Sequence, residues 1–211
     1  YPLFQKKKLQ KCKGWVFPTF KSYGFDSAVV NNEIILNENY DILRGLLRNR
    51  RIMVQGGPGT GKTVLVTKFL AYKVINGQKG LFFCANRLIE RRLKHIMFRE
   101  YHFTDDNISF GIFTEHTRLD LEKEEIDFIV FDEAQEYFKV LIEFLDLVNC
   151  SHRNIQVLIL YDTDQTIVSQ FENLSFYEEY ILDANNYAHF KFNNTYRCIQ
   201  NPYILEIALS V

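Results

Sequence analysis

Long apolar runs are missing from this sequence. No stretch approaches the roughly 20 consecutive apolar residues that a membrane-spanning helix needs, and no secretory signal peptide is visible. The net charge of the chain is also small, at −1. No whole-chain field therefore favours nucleic acid, and any polyanion contact has to use a local patch. We expect a cytoplasmic protein with no membrane partner.

Closely spaced cysteines are missing too. The four cysteines lie far apart, without a CxxC pair or a Cys/His cluster at zinc spacing, and the five histidines are scattered. We predict four reduced thiols, as in a cytosolic protein, and no metal site on histidine or cysteine. The sequence has no internal repeat and no low-complexity segment.

The N-terminal residues 1–34 differ in composition from the rest. Six lysines precede the first acidic residue, Asp26, and aromatic residues are mixed among them. The basic run fits either a solvated terminus or a nucleic-acid contact. We predict an extension of loop and short strand, the tail of an upstream domain. The start at Tyr1 rather than Met suggests a fragment or a processed chain.

From residue 35 onward, apolar segments without polar alternation are separated by amphipathic helical patterns. Predicted strands cover 52–55, 80–84, 108–113, 126–131, 155–160 and 190–192, and predicted helices cover 39–50, 62–75, 89–99, 137–148 and a stretch from about 201. Strands of this kind indicate a mostly parallel sheet covered on both faces. We predict one α/β domain over 35–211 with three layers, whose ligands bind at the carboxyl ends of the strands.

A glycine-rich segment, Gly56–Thr63, fits G-x-x-x-x-G-K-[ST] at every fixed position. It follows a predicted strand and opens a predicted helix, the context typical of a phosphate-binding loop. Glycines let successive amides face phosphate oxygens, and the helix N-terminus adds partial positive charge. The sequence therefore predicts a P-loop NTPase that uses ATP and Mg²⁺. The predicted nucleotide-binding residues are Gly57, Gly59, Thr60, Gly61, Lys62 and Thr63.

Within this loop, Lys62 would reach the β- and γ-phosphates, and the Thr63 hydroxyl would bind Mg²⁺. A second acidic motif supports this prediction, because the apolar segment Phe128–Phe131 delivers Asp132 and Glu133 at its tip. Asp132 would hold the magnesium hydration shell, and Glu133 would orient or deprotonate the attacking water. Paired acids also occur in ordinary surface loops, and the phosphate-binding loop favours the catalytic interpretation.

The segment D-E-A-Q at Asp132–Gln135 resembles superfamily 1 helicases of the UvrD/Rep kind. Three further segments fall in the family's order. Leu158–Ile167 is similar to motif III, Phe192–Arg197 to motif IV and Thr114–Thr117 to motif Ib. The resemblance covers roughly residues 35–205 and is nearest to the UvrD-like ATPases of NERD-type and DUF2075-type proteins. It implies a RecA-like fold.

The resemblance also implies roles for four residues. Gln135 and Gln165 would sense the γ-phosphate, Arg197 would clamp it in the transition state, and Tyr196 would stack on adenine. Alternatives stay open for three of them. Tyr196 also fits a core aromatic, Arg197 a surface cation and Gln165 a turn residue.

The sequence departs from the family at several positions. Tyr40 stands where the family has an adenine-reading glutamine, which leaves the choice of ATP over other nucleotides open. Tyr161 replaces the glycine of motif III, and motif Ia lacks its usual Thr-Phe-Thr. In the segment Val168–Phe171 only Phe171 offers a stacking face for single-stranded DNA.

We expect the first motor domain of a superfamily 1 DNA helicase or translocase, with single-stranded or duplex DNA as partner of the full-length protein. Its second RecA-like lobe would lie outside this chain, so the piece alone should hydrolyse ATP weakly. An alternative is a nucleotide-gated regulatory module that controls a partner such as a nuclease without unwinding.

Overall fold

The structure is a computed structural model. It describes residues 9–12, 15–18, 40–101, 107–115, 117, 125–151, 154–162, 174–185 and 187–192. Strands β1 (Leu9–Cys12) and β2 (Trp15–Pro18) pair antiparallel, with Cys12 opposite Trp15. The N-terminal segment thus contains two paired strands where the sequence predicts one short strand. The domain boundary at residues 34 and 35 stays a prediction.

A six-stranded sheet forms the centre of the molecule, in the order β5-β4-β6-β7-β3-β8. Every pairing within it is parallel. The inner strands β4, β6 and β7 bury their side chains on both faces, as the lack of polar alternation predicts, whereas the edge strands β5 and β8 are partly exposed. Their bounds are β3 Arg51–Gln55, β4 Gly80–Cys84, β5 Ile108–Ile112, β6 Phe128–Phe131, β7 Gln156–Tyr161 and β8 Ala188–Lys191.

Five helices cover the sheet in the part of the chain that the structure describes, and they divide between its two faces. They are α1 Tyr40–Arg48, α2 Lys62–Ile75, α3 Arg87–Tyr101, α4 Phe138–Cys150 and α5 Leu174–Asn185. Buried side chains of α1, α2 and α3 form one hydrophobic core with one face of the sheet. Those of α4 and α5 form a second core on the other face. The predicted three layers are therefore present.

Successive side chains of a strand point to opposite faces of the sheet, so the same strands contribute residues to both cores. Ile129 and Phe131 of β6 pack into the core of α4 and α5, whereas Phe128 and Val130 pack into the other core. Phe128 also contacts the ring of Phe69 on α2 edge-on, at 5.8 Å between ring centroids. Burial on both faces fixes the register of this central strand and so places its carboxyl end.

Most sequence-predicted elements are confirmed, with small shifts at their ends. The bounds of α2 and β4 agree with the prediction, and α2 ends at Asn76-Gly77, where Gly77 has φ +72. Strand β6 begins at Phe128 rather than Ile126. The sequence does not predict helix α5. Among the described side chains of this helix only Ile181 is buried, so no apolar stripe marks it.

The predicted helix from about residue 201 lies outside the described residues. Among the described residues, no helix has the length and apolar character needed to cross a bilayer.

Gly45 in α1 lies where the helix crosses β8. An added Cβ would meet the ring of Phe190 at 2.1 Å. We predict that Gly45→Ala destabilises the protein, because overpacking costs about 1–3 kcal/mol and exceeds the ~1 kcal/mol gain in helix propensity. Urea unfolding measures the change. In a Phe190→Leu background, which shortens the obstructing ring, the same substitution should be neutral or stabilising, and equal costs in both backgrounds would contradict this packing.

Candidate nucleotide-binding site

The glycine-rich loop lies between β3 and α2, as the sequence predicts. Gly59 and Gly61 adopt positive φ values of 74° and 100°, a region that favours glycine, and Gly61 caps the start of α2. Gly56 donates its backbone N–H to the Tyr161 carbonyl at 3.0 Å, which joins the loop to the end of β7. A Cβ at Gly56 would approach Phe192 within 2.9 Å. Backbone conformation therefore favours glycine at positions 59 and 61, whereas close packing against Phe192 favours it at position 56.

Thr60 helps to hold the loop in shape. Its buried hydroxyl donates a hydrogen bond to the Gly57 carbonyl at 2.9 Å. Thr63 follows in the first turn of α2 with an exposed side chain, and its carbonyl accepts a hydrogen bond from the Thr67 hydroxyl. The predicted phosphate-binding residues therefore lie together in one loop and the helix turn after it.

Lys62 is a buried lysine whose ammonium group is held by partners within the protein. Its Nζ donates to the carbonyls of Gly56 and Gly57, the second at 3.1 Å. It also lies 3.7 Å from Oδ2 of Asp162, which directly follows β7. A buried cation needs such partners, since burial of an isolated charge is costly. Lys62 therefore connects the glycine-rich loop to the carboxyl end of β7.

The two predicted carboxylates follow β6 at the same edge of the sheet. Asp132 is 6% exposed, and its backbone N–H donates to the Phe83 carbonyl at 2.8 Å. Its Oδ1 accepts a hydrogen bond from the Glu133 amide at 3.1 Å. Glu133 has φ +53, the sole non-glycine residue with positive φ in the described chain. Such strain persists where the surroundings fix it, often at functional sites.

Burial and, to a lesser degree, the neighbouring Glu133 charge raise the pKa of Asp132 to about 7, against the opposing effect of Lys62. The carboxylate is thus poorly compensated by the protein alone. A divalent cation beside Asp132 would offset this cost, so the donor chemistry fits Mg²⁺. The described residues contain no group of three or more His, Cys, Asp or Glu side chains able to hold a metal. Such a group is not required, because Mg²⁺ in nucleotide sites is usually held by one or two carboxylates with phosphates and water.

Gln135 joins the two strand ends. It lies in a short 3-10 helix, Ala134–Glu136, and is 1% exposed. Its Nε2 donates to Oε2 of Glu133 at 2.7 Å, and its Oε1 accepts from the backbone N–H of Asp162 at 3.0 Å. Both ends of the amide are therefore used inside the protein, in contacts that the sequence does not predict. The direct γ-phosphate contact implied by the family resemblance stays a prediction.

Two residues of the site were not among the sequence-predicted site residues. Asp162 is 1% exposed and contacts Lys62; it lies inside the motif III segment Leu158–Ile167, in which the sequence predicts no role for this residue. Tyr137 donates its hydroxyl to the Asp132 carbonyl at 2.7 Å, behind the acidic pair. The position of Asp162 after a buried strand was the available signal. Nothing in the local sequence marks Tyr137.

Several predicted residues lie outside the described part of the chain. These are Gln165, Tyr196 and Arg197, together with His116 of motif Ib and the segment Val168–Phe171; the side chain of Tyr40 lies outside it as well. Their roles stay predictions.

Comparisons with known proteins agree with this geometry. Residues 49–207 match the model of the family described as Schlafen group 3, DNA/RNA helicase domain. The chain is similar in structure to the Pif1 helicase from Candida albicans, at 17% identity and a TM-score of 0.50, over 81% of this chain and 42% of that one. A further match is the large terminase of a thermophilic bacteriophage, at 14% identity and a TM-score of 0.49, over 82% and 48%.

This chain therefore spans less than half the length of these two solved structures. Curated proteins gave no match. The predicted fold, an α/β P-loop NTPase of RecA-like type with a parallel central sheet, is confirmed by the sheet and by the likeness to a helicase. The resemblance to superfamily 1 helicase ATPase domains is likewise confirmed. Its particular closeness to the NERD-type and DUF2075-type ATPases stays a prediction.

The pKa of Asp132 predicts a pH-dependent stability of the nucleotide-free protein. The ordinary pKa of 3.8 applies in the unfolded chain and about 7 in the fold, so the folded state binds the extra proton and stability falls as pH rises from about 4 to 7. We expect Asp132→Asn to stabilise the protein at pH 8 by on the order of 2–4 kcal/mol. At pH 5, between the two pKa values, the gain should be smaller, roughly 1–2 kcal/mol.

Thermal unfolding at the two pH values measures this difference. Asp146→Asn, at an exposed position on α4, is the matched control and should change neither value. A loss of stability in Asp132→Asn at pH 8 would contradict the expected cost of the buried charge.

Proposed function

This chain belongs to the Schlafen group 3 DNA/RNA helicase domain family, and from that premise we propose that it binds and hydrolyses ATP with Mg²⁺ as the first motor domain of a nucleic-acid helicase or translocase. It is a helicase-like P-loop ATPase domain. One observation supports the finer proposal most. The lysine of the loop, the acidic pair and Asp162 follow three neighbouring strands, β3, β6 and β7, and direct contacts join them.

The loop residues bind the triphosphate. The amides at the start of α2 and the Lys62 ammonium neutralise its charge, for which Lys62 exchanges its carbonyl contacts for phosphate oxygens. Thr63 and Asp132 would hold Mg²⁺, which would supply positive charge to the phosphate oxygens. Binding of the cation would stabilise ionised Asp132 and lower its raised pKa.

Glu133 accepts a proton from water as the water oxygen forms its bond to the γ-phosphorus and the bond to the ADP oxygen breaks. Gln135 fixes the Glu133 carboxylate by donating to Oε2, and this leaves Oε1 for the water. Because the other end of the Gln135 amide binds the Asp162 backbone, a displacement of the β7 end would move the base. This link would connect hydrolysis to movement of the chain beyond β7.

We predict that Glu133→Gln lowers ATP turnover by about 10²–10⁴-fold, the usual contribution of a general base, while nucleotide binding persists. Lys62→Ala should lose both binding and turnover, because it removes the buried cation that faces the phosphates. Phosphate release and a fluorescent-nucleotide titration of the intact protein measure the two quantities. Glu143→Gln makes the same change at an exposed position on α4 and should behave like the parent. Parent-like turnover in Glu133→Gln would contradict the role of the base.

Gln135→Glu tests whether Gln135 positions the base or senses the γ-phosphate. It keeps the length of the side chain but replaces the donor to Glu133 by a carboxylate. Repulsion between the two carboxylates should displace the Glu133 side chain from the attacking water and lower turnover. The ratio of ATP to ADP affinity should stay that of the parent. A selective loss of ATP affinity would instead favour direct sensing.

Stimulation of turnover by single-stranded nucleic acid separates a motor from a nucleotide-gated regulatory module. The motor proposal expects stimulation of the intact protein, and indifference would favour the module.

A further inference from the structure

Helix α3 carries an exposed arginine stripe that the ATPase chemistry does not use. The stripe consists of Arg87, Arg91, Arg92 and Arg99, all exposed. At 1.5 Å per residue it is about 18 Å long. The opposite side of the helix is apolar, with Leu93 and Met97 buried in the core of α1, α2 and α3. Packing explains the buried side of the helix but not the concentration of arginine on the other.

Basic residues outnumber acidic ones on α3, since four arginines and Lys94 stand against Glu90 and Glu100. Of the two acidic residues, Glu90 pairs with Lys94 at 3.0 Å, and the side chain of Glu100 lies outside the described part of the chain. In the part of the chain that the structure describes, no acidic side chain forms an ion pair with the four arginines. Because the chain as a whole has a net charge of −1, this stripe is a local positive field of the kind that a polyanion requires.

Two large apolar side chains lie exposed among the arginines. Leu88 is 77% exposed and Phe98 is 41% exposed. Phe98 directly precedes Arg99 and lies two turns beyond Arg91 on the same side of the helix. An aromatic face beside guanidinium groups is the combination on which unpaired bases stack while phosphates bind alongside.

The stripe starts at the edge of the sheet that carries the nucleotide site. Asn86 caps α3 by accepting hydrogen bonds from the amides of Leu88 at 3.0 Å and Ile89 at 3.1 Å. Three residues earlier, the Phe83 carbonyl accepts the Asp132 amide. A strand bound along α3 would therefore reach the same strand ends that carry the acidic pair.

We propose that the arginine stripe of α3 binds the sugar–phosphate backbone of a single-stranded nucleic acid, with Phe98 stacking against a base. The inference rests on the proposed function, for which it names the form of the partner and a surface that contacts it. Arginine suits this task because its planar fork binds phosphate oxygens in pairs. A stripe that runs along most of a helix can also contact several successive phosphates of one strand.

The test uses the intact protein and a thymidine oligonucleotide of about 20 residues, which is long enough for a typical single-strand site. Anisotropy titrations at several salt concentrations compare the parent with the triple variant Arg91→Gln, Arg92→Gln and Arg99→Gln. Loss of three phosphate contacts should lower the slope of log affinity against log salt by about 2. Affinity at 0.1 M salt should fall on the order of 10- to 100-fold.

A matched control removes three exposed arginines elsewhere, by Arg44→Gln, Arg48→Gln and Arg50→Gln at α1 and the turn after it. This control changes the net charge equally and should keep the salt slope of the parent. Phe98→Ala should weaken binding of the single strand and leave a duplex of the same length unaffected. Nucleotide affinity, measured in every variant, serves as the check of folding.

A parental salt slope in the α3 variant would overturn the inference, as would equal losses in both triple variants. So would a parent that binds nucleotide but no nucleic acid, in which case an acidic protein partner becomes the better match for the stripe. Failure of the parent to bind nucleotide would instead contradict the proposed function. Equal effects of Phe98→Ala on single strand and duplex would contradict the stacking contact.

Discussion

Burial of opposite charges at one edge of the sheet is the constraint on which the site depends. Lys62 is held by two loop carbonyls and by Asp162, while Asp132 lies buried nearby with its pKa raised to about 7. Removing either Lys62 or Asp162 would leave its partner charged and desolvated, which costs far more than an exposed pair contributes. The conformation of the loop and the ends of β6 and β7 are therefore determined together rather than one by one.

Gln135, which links Glu133 to Asp162, also constrains the positions of these two residues. It binds the backbone N–H of Asp162 rather than its side chain, so it responds to where the end of β7 lies. At its other end it holds the Glu133 carboxylate, on a residue whose φ of +53 is unfavourable. A strained residue fixed from two sides has few alternative positions. The structure thus places Glu133 by contacts that span two strands.

Local chemistry explains what the sequence could predict. The loop Gly56–Thr63 and the ends of α2 follow from glycines at positive φ and from the residues that begin and end the helix. The partners of Lys62 and Gln135 could not be predicted, because they depend on β7 lying between β6 and β3 in the sheet. Apolar periodicity identifies strands, but it does not encode their order. Asp162 was therefore visible as the end of a strand and not as a partner of Lys62.

The resemblance to superfamily 1 helicases predicts a glycine at position 161, so Tyr161 is a departure from the family's motif III. In the structure Tyr161 is fully buried, and its hydroxyl donates to Oε1 of Glu178 at 2.6 Å. His189 Nε2 lies 2.8 Å from the Tyr161 hydroxyl oxygen. Burial and the Glu178 carboxylate raise the pKa of Tyr161, which keeps the hydroxyl as a donor. Since Tyr161 directly precedes Asp162, this anchor to α5 and β8 holds the strand end that Lys62 and Gln135 bind, through contacts that a glycine has no side chain to make.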